Sequence, residues 1–186
     1  AMMLLSLWLA LAVPNTPTTA LAAKPRPWSV FGGFTSHELS APGLHLGAAY
    51  DVEATQHFRS LVSASVQGYR EPSTELGLAL QLRWGQRYTA SFGLTLESFL
   101  GVGVQYTRWT TTAFVFRDGM GHAQEDARSG VSFAPHVSLG PGYDFAPLLG
   151  LPIQLYARPG LQLAYPDFNG LLKLSLTAEL GLRWTM

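Results

Sequence analysis

The feature that most constrains this chain is a strict two-residue alternation of apolar side chains with small or polar ones. From Leu76 to Trp84, every even position holds leucine or tryptophan and every odd position holds glycine, alanine, glutamine or arginine. The same period returns from Leu172 to Trp184. Successive side chains on a β-strand point to opposite faces, so each segment has one wholly apolar face. Apolar rows that end in aromatic residues are typical of strands in a membrane β-barrel.

The composition supports a membrane location that depends on strands. Charged residues make up only 13% of the chain, whereas about 25% is usual in a soluble domain. Past the first 13 residues, no apolar run approaches the roughly 20 residues that a membrane helix needs. With 186 residues the chain has enough length for one small barrel.

The charge balance and the absence of cysteine exclude several classes of partner and cofactor. Twelve basic and twelve acidic residues give no positive field for nucleic acid. Zero cysteines exclude disulfides, thiolate metal sites and lipid attachment through cysteine. No histidine or carboxylate spacing indicates a metal site. We therefore expect no cofactor and no metal.

The first 22 residues have the pattern of a secretory signal peptide. An apolar stretch from Leu4 to Val13 precedes Ala20-Leu21-Ala22, which predicts cleavage before Ala23. The alternative is a short hydrophobic helix retained as an anchor. Residues 23–27 form a proline-rich linker, and residues 28–186 form the predicted barrel domain.

The alternation and the turn residues predict eight strands in a single antiparallel up-and-down transmembrane barrel, an all-β fold. An even number of strands places both termini of the barrel chain on the same side of the membrane, which is the periplasmic side. The predicted strands cover residues 28–35, 44–53, 58–69, 76–84, 92–116, 131–143, 153–164 and 171–184.

The fifth strand is too long for a single crossing, which needs 9 to 11 residues. It either protrudes as residues 107–116 and pairs with residues just before Val131, or it turns near Ser98 and Arg108 to give ten strands. Neither turn site has the Asn-Gly or Asp-Gly sequence of a tight hairpin, so eight strands are favoured.

Aromatic residues predict which strand ends lie at the lipid boundary. The upper candidates are Phe34, Tyr106, Phe133 and Tyr165. The predicted lower aromatic girdle comprises Trp28, Phe58, Trp84, Phe92, Tyr143 and Trp184.

A soluble barrel of lipocalin type is the alternative to a membrane barrel, but its outer face would need many Lys and Glu residues.

Charged residues on the polar face predict an ion-paired lumen. Eight strands leave an interior just wide enough for side chains, and isolated buried ions are costly, so opposite charges should pair. The alternative is a narrow passive channel for small solutes, with little ion selectivity because the charges balance. The predicted network has five acids and five bases: Asp51, Glu53, Glu97, Asp144, Glu179, Arg59, Arg83, Arg158, Lys173 and Arg183.

A lipid-modifying enzyme is the least favoured function. Ser36-His37-Glu38 contains the residue types of a catalytic triad, but adjacent residues do not converge on one proton-transfer line. His45 and His136 have lumen parity and are close enough in the pattern to meet Asp51 or Glu53, but a histidine among polar neighbours is more often a structural hydrogen-bonding group, which is the favoured interpretation. No catalytic residue is assigned.

The signal peptide, the alternation and the final strand ending at Trp184 together resemble the small outer-membrane barrels of Gram-negative bacteria, the OmpA/OmpX type. The resemblance covers Trp28 to Met186. It implies an outer-membrane location, contact with lipid, and recognition of the last strand by the barrel-assembly machinery. Thr185 and Met186 after Trp184 depart from the usual aromatic ending. We expect a structural or interaction role in the envelope, with an envelope protein bound at the loop 117–130.

Overall fold

A computed structural model describes residues 27–186 except residues 39, 56, 72–74, 118–119 and 167–171. The predicted signal peptide and most of the predicted linker lie outside the described residues. The elements are β1 (Trp28–His37), β2 (Ala41–Ala54), β3 (Phe58–Glu71), β4 (Glu75–Thr89), β5 (Leu94–Arg117), β6 (Met120–Phe133), β7 (His136–Asp144), α1 (Ala146–Leu149), β8 (Ile153–Ala164) and β9 (Lys173–Thr185).

The strands form a closed antiparallel barrel. β1 to β5 pair in chain order, β5 continues to β7, and β7, β8 and β9 return to β1. This ring has eight members, as predicted, and β6 pairs with β5 beyond the end of β7. The ten-strand alternative is wrong because both proposed turn sites lie within β5. Ser98 pairs with Gln86 and Leu139, and Arg108 pairs with Leu76 and Ser129.

β6 and β7 are two parts of one wall strand. Residues 94–101 of β5 pair with β7, whereas residues 104–117 pair with β6. The break falls at Ala134 and Pro135, where proline has no N–H to donate to a strand ladder. β4 begins at Glu75, opposite Trp109, so β5 and β6 extend past the external end of β4 as a two-stranded hairpin. This confirms the predicted protrusion of the fifth strand.

The strand register shows how far the strands are staggered around the barrel. A row of paired residues that leaves β1 at Trp28 crosses Tyr50, Val62 and Trp84 and continues around the ring to Leu176. There the row meets Glu38, whose N–H donates to the Leu176 carbonyl at 2.7 Å. The row thus returns to the chain ten residues after Trp28. This stagger tilts every strand relative to the barrel axis.

The stagger corrects one member of the predicted lower girdle. Trp28, Phe58, Phe92, Tyr143 and Trp184 lie at the periplasmic ends of their strands or in the adjoining turn. Trp84 does not, because β4 continues five residues further, to Thr89. The stagger of ten residues is shared among eight strands, so over the three steps from β1 to β4 the row of paired residues rises toward the external side by about four residues. Tyr88, which is 46% exposed, therefore occupies the level at which Trp84 was expected.

The outside of the barrel is apolar, and the inside is polar. Leu46, Leu80 and Leu100 are each about 60% exposed or more, whereas Arg83, Gln81 and Glu97 are buried. This polarity is the reverse of a soluble barrel, so the lipocalin alternative is wrong. An uncovered apolar band of this extent requires lipid around it. None of the described helices is long and apolar enough to cross a membrane.

Candidate functional site: the barrel lumen and its outer mouth

Buried ion pairs join opposite walls at the centre of the lumen. Arg83 Nη1 on β4 donates to Glu179 Oε1 on β9 at 2.8 Å. Arg158 on β8 lies between two carboxylates, with Nη2 at 3.0 Å from Glu179 and Nη1 at 3.7 Å from Glu97. Arg183 Nη1 donates to Glu97 Oε1. The structure thus brings together five of the ten residues in the predicted lumen network.

Arg87 belongs to the same network although the sequence analysis left it out. Its Nε donates to Glu97 Oε1 at 2.6 Å, and its side chain is buried. The alternation predicts that β4 ends at Trp84, so Arg87 is predicted to lie in the turn that follows. The signal was present in the sequence, because Arg87 has the same parity as Arg83.

Three aromatic rings pack among the arginines inside the lumen. The guanidinium carbons of Arg83, Arg158 and Arg183 lie 5.7, 5.6 and 5.5 Å from the centre of the Phe31 ring. Arg158 also lies 4.0 Å from the Tyr156 ring and 4.8 Å from the Phe99 ring. Ring faces attract cations, and they also hold the guanidinium groups in place by contact. All three rings are on the lumen side of their strands and buried.

A layer of glutamines closes the lumen on the external side of the ion pairs. Gln81 Nε2 donates to Gln162 Oε1 at 3.0 Å, and Gln67 Nε2 donates to the same oxygen at 3.4 Å. Gln162 Nε2 in turn donates to Gln105 Oε1. These four side chains come from β3, β4, β5 and β8, so the layer extends across the lumen.

The outer mouth is closed by a second charged group. Lys173 Nζ lies 2.9 Å from Glu38 Oε1 and 3.3 Å from Glu75 Oε2. Glu75 also accepts hydrogen bonds from Tyr69 Oη at 2.5 Å and Trp109 Nε1 at 3.2 Å. The predicted lumen network includes Lys173 but neither Glu38 nor Glu75. The structure instead places Lys173 at the mouth.

Glu38 follows β1, in the turn at this mouth. Partial burial raises the pKa of its carboxyl, but the hydrogen bond and charge of Lys173 outweigh that effect, and the net pKa lies below its ordinary value.

Four other members of the predicted network lie away from the central ion pairs. Arg59 Nη1 and Asp51 Oδ2 form a separate pair at 2.7 Å near the periplasmic end. Glu53 is exposed because a bulge between Asp51 and Glu53 shifts the parity of β2 by one residue. Asp144 Oδ1 accepts the Ala146 N–H at 2.9 Å, at the start of α1. The placement of Glu53 and Asp144 in the lumen network was therefore wrong.

The histidines have partners other than those expected. His45 Nε2 lies 2.6 Å from Tyr156 Oη, and His136 Nε2 lies 3.3 Å from Thr177 Oγ1, so both have the hydroxyl partners of structural histidines and neither pairs with Asp51 or Glu53. In the Ser36-His37-Glu38 run, His37 stacks on the Tyr69 ring at 4.3 Å while Glu38 pairs with Lys173. His37 and Glu38 thus have separate partners. Among the described residues, no group of three His, Asp or Glu side chains is placed to hold a metal ion.

Solved structures with the same architecture are small outer-membrane barrels. Neisserial surface protein A is 12% identical, with 86% of this chain and 96% of that chain covered and a TM-score of 0.53. The attachment invasion locus protein Ail of Yersinia pestis is 14% identical, with 86% and 99% covered and a TM-score of 0.51. The outer membrane enzyme PagL is 12% identical, with 85% and 99% covered and a TM-score of 0.50.

No protein-family model matches the sequence, and comparison with curated proteins finds no match. The fold and the apolar exterior define this chain as an eight-stranded β-barrel of the outer-membrane class. Similarity at 12–14% identity shows the fold alone. Because PagL is an enzyme with this fold, the fold is compatible with both enzymatic and non-enzymatic roles.

Proposed function

We propose that this protein is a non-conducting outer-membrane barrel with a structural or interaction role, and that the β5–β6 hairpin is its contact surface. The observation that carries the proposal is the set of buried ion pairs that cross the lumen from Arg83 to Glu179 and from Arg183 to Glu97. Side chains on opposite walls meet directly at this level.

The energetics of these ion pairs favour a closed lumen. A solute that crosses must separate buried partners, and leaving one buried charge without its partner costs about 3–5 kcal/mol. The glutamine layer and the Lys173 group add two more closures on the external side. A solute that crosses the barrel must therefore open the Lys173 group, the glutamine layer and the central ion pairs one after another.

The hairpin supports the second half of the proposal. Beyond Trp109, the pairs from Thr110 with Ala127 to Arg117 with Met120 join β5 and β6 to each other. Within the described residues, no further strand pairs with either outer edge of this part. Edge strands present unpaired N–H and C=O groups, and an extended segment of another protein can add to them. We therefore expect an envelope protein that supplies such a segment.

Planar-bilayer recording of the refolded protein tests the closed lumen. We expect no steady openings, with a known porin as the positive control for insertion. Steady openings of the parent protein would contradict the proposal and favour the narrow passive channel.

Site-specific crosslinking in cells tests the hairpin. A photo-crosslinking residue at Ala113 should yield a defined adduct with one envelope protein, whereas the same residue at Leu100, on the lipid-facing wall, should not. Shortening the hairpin by removing residues 111–126 should abolish binding of that purified partner while the barrel still folds. Unchanged affinity of the shortened protein would contradict a contact role for the hairpin.

A further inference from the structure

The charges sealed inside the lumen do not balance. Two carboxylates, Glu97 and Glu179, are buried at its centre. Four guanidinium groups are buried with them, each no more than 5% exposed: Arg83, Arg87, Arg158 and Arg183. This part of the lumen therefore has two more positive than negative charges. The sequence predicts equal numbers of acidic and basic residues in the lumen.

Several guanidinium nitrogens in this group have no hydrogen-bond acceptor. Within the described part of the chain, Nε of Arg83, Arg158 and Arg183 and Nη2 of Arg87 and Arg183 are buried and unpartnered. Buried polar groups almost always find partners, and a charged donor without one is costly. The acceptors Glu97 Oε2, Glu179 Oε2 and Gln81 Oε1 are buried and unpartnered as well, but they are fewer than these nitrogens, so the group can take a further acceptor.

The excess charge is concentrated in a small volume. Arg83, Arg158 and Arg183 all place their guanidinium carbons within 5.7 Å of the centre of the Phe31 ring. The aromatic rings attract cations but carry no net charge. Asp51 pairs with Arg59, and the mouth carboxylates pair with Lys173, so these acids are not available to the central arginines. Glu97 and Glu179 offset part of the repulsion among the four buried arginines, and two positive charges are left over.

We propose that the lumen binds a small monovalent inorganic anion of the chloride class against Arg83, Arg158 and Arg183. Such an ion supplies an acceptor and offsets one of the two excess positive charges. It must be small, because the three guanidinium carbons all lie within 5.7 Å of one ring centre and the surrounding side chains are buried. The inference does not depend on the role of the hairpin.

Bromide provides a direct test, because it resembles chloride and scatters X-rays anomalously. Crystals of the intact barrel grown in bromide should show an anomalous peak in contact with guanidinium nitrogens of the three arginines, and added chloride should displace it. Only water at these nitrogens, with no anomalous peak in the lumen, would overturn the proposal.

A folding measurement in lipid vesicles provides a second, independent test. A chloride concentration ten times the dissociation constant should raise the folding equilibrium constant about elevenfold relative to gluconate at equal ionic strength. Arg158→Gln should lose this difference, whereas Lys173→Gln, at the mouth, should keep it. Equal stability of the parent protein in both salts would overturn the proposal. Should Arg158→Gln fail to fold, the parent titration and the bromide crystal still decide.

Discussion

Arg83 and Glu179 join opposite walls of the barrel: β4 and β9 are four strands apart in the eight-membered ring, and their side chains meet at 2.8 Å. Both side chains are fully or almost fully buried. The pair therefore holds the barrel together across its centre, in addition to the hydrogen bonds around its wall.

We expect strong coupling between these two residues. Glu179→Gln alone should destabilise the barrel by about 3–5 kcal/mol, because it leaves Arg83 buried without its carboxylate, whereas Arg83→Met should cost less, because Glu179 keeps Arg158 as a partner. The double variant should cost clearly less than the sum of the two, with a coupling energy well above about 0.5 kcal/mol. Unfolding titrations in lipid vesicles measure all four states.

The partly exposed pair of Asp51 and Arg59 serves as the matched control. Its side chains are 8% and 35% exposed, so water screens it, and its coupling should be about 0.2–1 kcal/mol. Additive effects at Arg83 and Glu179 would show that these charges are independently hydrated.

Depth in the membrane should set the cost of a charge on the outer face. Leu82 and Leu76 lie on the same face of β4 and are similarly exposed, but Leu76 pairs with Arg108 near the external end. Leu82→Arg should cost about 2–4 kcal/mol near the bilayer midplane, and Leu76→Arg about 0–1 kcal/mol. Refolding titrations compare the two variants. Equal costs would mean that this face does not cross the lipid core.

Accessibility from outside the cell should differ along β5. The chain has no cysteine, so single cysteines introduced at Ala113 and Ser98 are the only labelling sites. A membrane-impermeant thiol reagent should label Ala113→Cys, in the hairpin, and leave Ser98→Cys, which lies in the wall between Gln86 and Leu139, unlabelled. Rapid labelling at Ser98 in intact cells would contradict the position of the wall.

The mouth should show a dependence on acid pH that comes from Glu38. Because its folded pKa is lowered, the carboxylate stabilises the fold above its unfolded pKa of 4.5, and this contribution is lost as the pH falls through the folded pKa. Glu38→Gln should therefore cost up to about 1 kcal/mol at pH 7 and nothing at strongly acid pH. Vesicle unfolding across this range measures the difference.

The control for this prediction removes the partner of Glu38. In a Lys173→Gln background, Glu38→Gln should have nearly the same small effect at every pH. A full pH dependence in that background would assign the effect to another group.

The sequence alone determined which face of each regular strand meets lipid. The four leucines at positions 76, 78, 80 and 82 point outward as their parity predicts, because alternation is a local property of an extended chain. The length of the fifth strand likewise predicted the protruding hairpin. The extension of β4, which brought Arg87 inward, was signalled only by the parity that Arg87 shares with Arg83, and the bulge in β2, which turned Glu53 outward, has no comparable local signal.

Only the tertiary structure decided which charges meet. Parity assigns a side chain to the lumen but says nothing of its height, and the height depends on a ten-residue stagger set by hydrogen bonds between strands distant in sequence. The stagger brings Arg83 level with Glu179 and leaves Lys173 at the mouth with Glu38. The chain has equal numbers of acidic and basic residues, but the stagger places more arginines than carboxylates at one level of the barrel. The local charge balance therefore depends on which residues share a level, and the order of residues along the chain does not show this.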